Sequence, residues 1–212
     1  MITLYDYELS VNCYKVRLLL NFLSISHNLH SIDFFPGWEH KSKWFKEINP
    51  LGHIPVIDDD GYILRDSNAI LIYLATKYDD SLKWYPIQQA ELLGEVSQWM
   101  MFSEGTTNTA SAARLHDSLG YEFDIDTCRA GAHQLFRVLD EHLWFREQQN
   151  LRWLCSAEFP TLADLVIFPD VILSEEGGIN RVSYPAIRRW TDRFRRLPNF
   201  SVMAGVLPAG TI

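Results

Sequence analysis

The sequence predicts an α/β domain followed by an all-α domain. Strand and helix signals alternate up to about Tyr78 in the order β-α-β-α-β-β-α. The stretch "DDSLKWYP" interrupts the pattern, and beyond it strand signals fade and only helical periods remain. The boundaries read as residues 1–78 for the first domain, 79–86 for a linker and 87–212 for the helical domain.

Ile2 and Leu4 begin the first strand. Val16, Leu19, Leu20 and Leu23 follow the i, i+3, i+4, i+7 rule, which predicts an amphipathic helix over residues ~12–23 packed on that strand. A second strand is expected around "HSIDFF". The segment "PGWEHKSKWFKEINPLG" is punctuated by Pro and Gly at both ends and carries one short helix at most. "IPVIDDDGYIL" joins two apolar runs through Asp59, Asp60 and Gly61 and reads as a β-hairpin. "DSNAILIYLATKY" opens on two good cap residues and continues with nearly unbroken apolar positions, the pattern of a buried helix. In the second half, residues ~88–118 and ~126–147 read as long helices. "PTLADLVIFPDVILSEE" reads as a buried helix, and "YPAIRRWTDRFRRL" as an amphipathic one closed by Pro198.

With 47% hydrophobic and 13% aromatic residues, the 212-residue chain can fill its cores, and disorder is excluded. The net charge of −8 and pI near 5.3 argue against a nucleic-acid partner, which would demand concentrated Lys and Arg. Arg188, Arg189, Arg193, Arg195 and Arg196 have near-helical spacing and form a solvated helix face. Three cysteines, Cys13, Cys128 and Cys155, are odd in number and irregularly spaced, which fits neither a disulfide framework nor a zinc site. A reducing cytoplasm follows, with no metal expected. "MITLYDY" lacks a basic leader and "AILIYLA" is far too short to span a bilayer, so a soluble, uncleaved chain without a membrane partner is expected.

Several residues invite a chemical reading beside a structural one. Ser10 and Cys13 stand three apart at a strand-to-helix corner, where Ser10 could cap the helix and Cys13 could be a core thiol. Asp66 and Ser67 could cap the third helix. Pro55 after Ile54 would be an ordinary trans proline from sequence alone. Thr161 and Asp164 have the spacing of a capping box and read as structural only.

The β-α-β-α-β-β-α half carrying "NPLGHIPVIDDDGYILRDSNAILIYL", followed by a helical half carrying "PTLADLVIFPDV", resembles the cytosolic glutathione transferase family over nearly the whole chain. The resemblance implies a thioredoxin-like first domain, a helical bundle as the second, glutathione as co-substrate, and a cytoplasmic homodimer in detoxification. It implies that Pro55 is cis, so that the Ile54 backbone pairs with the cysteinyl residue of glutathione. It further implies that Ser67 meets the γ-glutamyl carboxylate at a helix N-terminus, a natural anion site, while Asp66, where many members have Glu, meets the ammonium group. "EHKSKWF" resembles plant-type members in which a His and a Lys face the glycine carboxylate, which assigns His40 and Lys41; the alternative is a solvated loop. His53 stands where many members carry Gln and can still donate a hydrogen bond.

In redox proteins of thioredoxin-like fold the nucleophile is the first residue of C-x-x-C. Here that motif reads S-x-x-C, so Cys13 holds only the shielded place. "S-x-N-x-x-K-V" resembles serine-type and threonine/asparagine-type transferases, in which the hydroxyl points at the glutathione sulfur and the asparagine assists, giving Ser10 and Asn12 as the catalytic pair. Lowering a thiol pKa from about 8.5 by ~2 units takes about 2.7 kcal/mol. A helix N-terminus supplies roughly 0.3–1 kcal/mol and a charged hydrogen bond about 1.5–3 kcal/mol, enough together. The expected activity is addition of glutathione to small hydrophobic electrophiles. The alternatives are glutathione-dependent disulfide or peroxide reduction, or a non-catalytic binding module. Tyr7, Trp99, Met100, Phe102, Ser103 and Thr107 are candidates to line the second-substrate pocket, and their spacing equally suits bundle core.

Overall fold

The computed structural model describes residues 1–206 and divides into two compact units, Met1–Asp80 and a second that begins at Ser81. Residues 207–212 of the expected helical domain lie outside the described residues.

The first unit is a four-stranded mixed sheet with helices on both faces, a thioredoxin-like arrangement. Its elements are β1 (Ile2–Asp6), α1 (Val11–Phe22), β2 (His27–Ser31), a 3₁₀ turn (Glu39–Lys41), α2 (Lys43–Ile48), β3 (Val56–Asp59), β4 (Tyr62–Arg65) and α3 (Ser67–Tyr78). The strand order is β2-β1-β3-β4, with β1 parallel to β2 and antiparallel to β3. Leu4 stands opposite Leu29 on one side and Ile57 on the other. Tyr5 and Val56 point to the face covered by α2, where Ile32, Phe45 and Ile48 pack with them. On the opposite face α1 packs against α3, and Leu18, Leu19 and Leu20 of α1 and Leu74 of α3 are fully buried. Each such side chain contributes about 1.5–3 kcal/mol by leaving water.

The second strand differs from expectation. It spans His27–Ser31 rather than centring on "HSIDFF", and almost all of it is exposed. Its partner β1 ends at Asp6, whose carbonyl takes the Ile32 N–H at 2.8 Å, and the ladder stops there. The hairpin forms as the Asp-Gly dipeptide demands: Asp60 and Gly61 have φ of 50° and 93°, the two consecutive positive values of a type I′ turn.

At the end of β3, Asp59 accepts from Tyr73 (2.7 Å), Lys77 (2.6 Å) and Tyr78 (2.7 Å), all on α3. Burial alone would raise this carboxyl, but the Lys77, Tyr73 and Tyr78 bonds outweigh it and hold the pKa at about 2.

The second unit holds α4 (Ala90–Thr106), a π turn (Thr107–Ser111), α5 (Ala112–Leu119), α6 (Ile125–Gln148), α7 (Leu162–Ile172), a 3₁₀ turn (Ser174–Gly177) and α8 (Pro185–Phe194). The single helix expected over residues ~88–118 is thus interrupted by a π turn. Buried Asp170 explains the interruption: it accepts from Thr106, Thr107 and Ser111, whose hydroxyls flank or belong to that turn. Every residue of α7 is buried, and the expected capping box forms: Asp164 accepts from the Thr161 amide at 3.0 Å. The same carboxylate also takes the Leu154 amide (3.0 Å) and the Trp190 indole (2.9 Å), so it joins three segments. On α8 the arginine face is exposed or half-buried, and Arg189 and Arg193 reach Glu147 on α6. No helix among the described residues is long and apolar enough to cross a membrane.

Because Asp59 has a depressed pKa in the folded state, its contribution is fully present above about pH 4 and is lost as pH falls toward 2, an effect of about 2 kcal/mol. The Asp59→Asn variant is expected to show a flatter unfolding free energy over that window, measured by denaturant titration at several pH values.

Candidate functional site

The ladders of the first unit decide which loops meet. β1 ends at Asp6 beside the start of β3, since Tyr5 pairs with Val56. Val56 pairs in turn with Arg65 at the end of β4, and parallel pairing brings the end of β2 to the same side. One end of the sheet therefore collects the turn after β1 with Ser10, the loop after β2 with His40 and Lys41, the segment before β3 with His53, Ile54 and Pro55, and the corner after β4 with Asp66 and Ser67.

Ser10 caps α1, its oxygen accepting from the Cys13 amide at 3.2 Å. The hydroxyl proton is left to donate. Asn12 lies half-buried in the first turn of α1. Cys13 is 0% exposed, and burial, with the Asp6 carboxylate adding, pushes its thiol up to about 12 against the opposing Ser10 hydroxyl and Arg17 charge. That thiol is unsuited to nucleophilic or redox work.

The Ile54–Pro55 bond is cis, contrary to the ordinary reading of an X-Pro pair and in keeping with the resemblance. The Ile54 side chain packs on the Ile32–Phe45–Val56 cluster, while its backbone amide has no partner among the described residues. Asn49 donates to the His53 carbonyl at 2.7 Å and braces this segment from the end of α2. Asn49 is a site-supporting residue that the sequence signals only as the Asn-Pro dipeptide closing a short helix.

His40 is not the solvated loop residue that one alternative expected. It is 1% exposed, stacked on Phe34 with ring centroids 3.9 Å apart and tilted against Trp38 at 5.6 Å. Burial lowers the pKa of its imidazole, and the neighbouring Lys41 and His53 lower it further, which favours the neutral ring. Lys41 is exposed and donates to the Gly52 carbonyl at 3.0 Å. Gly52 has φ of 59°, and a Cβ there would stand 2.6 Å from the His40 carbonyl, so only glycine lets the two loops approach.

Asp66 caps α3 with φ of 73°, unusual for a residue with a side chain, and accepts from the Ala69 amide at 3.0 Å. Ser67, 8% exposed, is the first residue of the twelve-residue α3, and neither its amide nor its hydroxyl has a partner among the described residues. The arrangement offers two helix N-termini, a strand-like amide with no partner among the described residues, and Lys41 around one end of the sheet, donors that suit a short peptide-like ligand bearing carboxylates.

A family model described as the glutathione S-transferase N-terminal domain matches residues 4–82. The first unit therefore carries a glutathione S-transferase N-terminal domain, and the whole chain is similar to glutathione S-transferases. It is 28% identical over 212 residues to the glutathione S-transferase GstB of Escherichia coli, an alignment covering 93% of this chain and 95% of that protein. The crystal structure of a glutathione S-transferase from Pseudomonas fluorescens is similar at a TM-score of 0.84 and 25% identity, covering 95% of this chain and 98% of that one. Ure2p, solved in complex with glutathione, shares the fold at a TM-score of 0.81 and 23% identity over 93% of this chain and 95% of its own.

Of the candidates for a second-substrate pocket, Tyr7 stacks on Phe34 at 5.4 Å in the first unit. In the second unit, Trp99, Met100 and Ser103 are buried, with Trp99 against Phe102 and His142 and the Ser103 hydroxyl bonded to the Met100 carbonyl. Phe102 is half-buried, and Thr107 bonds Asp170.

At neutral pH a thiol of pKa about 12 is ionised to about one part in 10⁵. Cys128 and Cys155 are also buried, and burial raises both thiols. Mass spectrometry after iodoacetamide treatment is expected to find all three cysteines unmodified in native protein and all three modified in denaturant. Rapid native labelling of Cys13 would restore it as a reactive thiol.

Proposed function

We propose that this protein is an enzyme that binds glutathione and adds its sulfur to small hydrophobic electrophiles. The observation that carries the reading is the convergence, at one end of the sheet, of the Ser10 cap, the Ile54 and Ser67 amides, which have no partner among the described residues, and Lys41 with the imidazoles of His40 and His53.

In this reading the tripeptide lies along the sheet end as an added strand. Its cysteinyl backbone pairs with Ile54 beside cis Pro55. Its γ-glutamyl carboxylate takes the Ser67 amide and hydroxyl at the positive end of α3, and Asp66 meets the ammonium. The glycine carboxylate faces Lys41 and His40, with His53 donating beside them. The sulfur falls at the start of α1. There Ser10 donates its hydroxyl to the thiolate and Asn12 assists, while the thiol proton passes to solvent. The thiolate then attacks the electrophilic atom, a sulfur–carbon bond forms, and the electron pair leaves with the leaving group or moves onto the acceptor. The protein supplies orientation and electrostatics rather than a nucleophile of its own. The functional unit in this reading is a homodimer, the commonest closed assembly; a dimeric mass in light scattering at micromolar concentration is expected.

Two variants separate the roles. Ser10→Ala is expected to raise the pKa of bound glutathione by ~1–2 units, followed by thiolate absorbance against pH, since a hydrogen bond of about 1.5–3 kcal/mol to the anion is lost. Ser67→Ala is expected to raise the KM for glutathione and spare the rate at saturation, because its contacts are equal in ground and transition states. An unchanged titration in Ser10→Ala, with aryl-halide conjugation intact, would sink the assignment.

A further inference from the structure

The turn between β1 and Ser10 is only three residues long, Tyr7 to Leu9, yet it fixes where the Ser10 hydroxyl and the first amides of α1 point. One bond within it is the Ser10 amide to the Tyr7 carbonyl at 2.9 Å. Three more bonds to this corner come from Arg17, about two turns into α1. Its Nη1 bonds the Asp6 carboxylate and reaches the Tyr7 carbonyl at 3.4 Å, while its Nη2 donates to the Glu8 carbonyl at 2.9 Å. The guanidinium also sits 5.6 Å over the Tyr14 ring. The ion pair is largely sheltered, the side chains being 13% and 8% exposed for Arg17 and Asp6.

From this geometry we infer that Arg17 is a positioning residue for the thiolate site: it ties the β1–α1 turn back onto α1 and masks the Asp6 carboxylate that would otherwise face that corner. The inference rests on the proposed role of Ser10. Two physical effects act in the same direction. A planar fork serving Asp6, Tyr7 and Glu8 holds the turn in one conformation, which a flexible ammonium cannot reproduce. The Asp6 and Arg17 charges also both act on the corner, since the neighbouring Cys13 thiol is pushed up by Asp6 and pulled down by Arg17. Without the guanidinium, an unpaired, sheltered carboxylate would oppose any anion bound there.

The test replaces Arg17 with Met and, separately, with Lys, and titrates the thiolate absorbance of bound glutathione alongside Ser10→Ala. Arg17→Met is expected to raise the bound-thiol pKa by about one unit, as expected for loss of a nearby opposite charge. It should lower kcat/KM for aryl-halide conjugation about tenfold at neutral pH, leave KM for glutathione nearly unchanged, and recover toward wild type in alkaline buffer. Arg17→Lys, which keeps the charge but not the fork, should lie in between. Should the Met variant fail to fold, Arg17→Gln replaces it with the same expected shift. A merely structural arginine would lower the unfolding temperature and leave the titration where it was. A folded Met or Gln variant with the wild-type titration therefore overturns the inference. In that event Ser10→Ala decides how much falls: if it shifts the titration, only the role of Arg17 is lost, and if it does not, the reading of Ser10 is lost as well.

Discussion

The double pairing of β1 governs the first unit. Because this strand is bonded to β2 in parallel and to β3 antiparallel, the ends of β1, β2 and β4 and the start of β3 must all emerge on one side of the sheet. At that side the ladders stop, and the Ile54 amide near the start of β3 has no partner among the described residues. A slip of one residue in either ladder would send Leu4 and Ile57 to the wrong face. The register that builds the core is thus the same one that assembles the candidate site, and neither can change without the other.

The charged and polar hubs divide along the same axis. At the far end of β3, Asp59 gathers Tyr73, Lys77 and Tyr78 and so fastens α3 by its last turns. At the other end the amide and hydroxyl of Ser67, the first residue of α3, have no partner among the described residues. A helix held at its C-terminal end can present an open N-terminus without fraying, which is what an anion site requires. In the helical unit the two buried aspartates of α7 have a different character. Asp164 satisfies Leu154, Thr161 and Trp190, and Asp170 satisfies Thr106, Thr107 and Ser111. Their bonds go to backbone amides, an indole and hydroxyls of the unit itself, which makes them stabilising hubs despite the reputation of buried carboxylates as reactive groups.

Much of this was legible in the sequence because local chemistry and tertiary packing agree. The alternating elements, the Asp-Gly hairpin, the Thr161–Asp164 box and the wholly buried α7 all follow from periodicity and cap residues. The second strand was misplaced because its signal is not its own. "HNLHS" lacks apolar alternation, and what makes it a strand is the edge of β1 beside it. The π turn escaped because a carboxylate some sixty positions away along the chain causes it. Within the site, the resemblance supplied the cis Ile54–Pro55 bond, which no residue pattern implies. The burial of His40 was hidden because it depends on Phe34 and Trp38 closing over the imidazole. Arg17 was invisible for a simpler reason: a basic residue in a largely apolar helix looks like a solvated position until its partners at the end of β1 and in the following turn are seen.

The S-x-x-C corner shows how one position can carry a structural and a chemical role together. A capping oxygen accepts from an amide of the first turn and keeps its own proton. Ser10 does this toward the Cys13 amide, so the interaction that starts α1 also orients a donor at the positive end of the helix. A cysteine in the same place would bring its own sulfur; a serine brings only a hydroxyl. Cys13, one turn further and fully buried, fills space beneath the corner. The corner thus joins a hydroxyl, a helix end and a turn braced by Arg17, while its one thiol is withdrawn into the core.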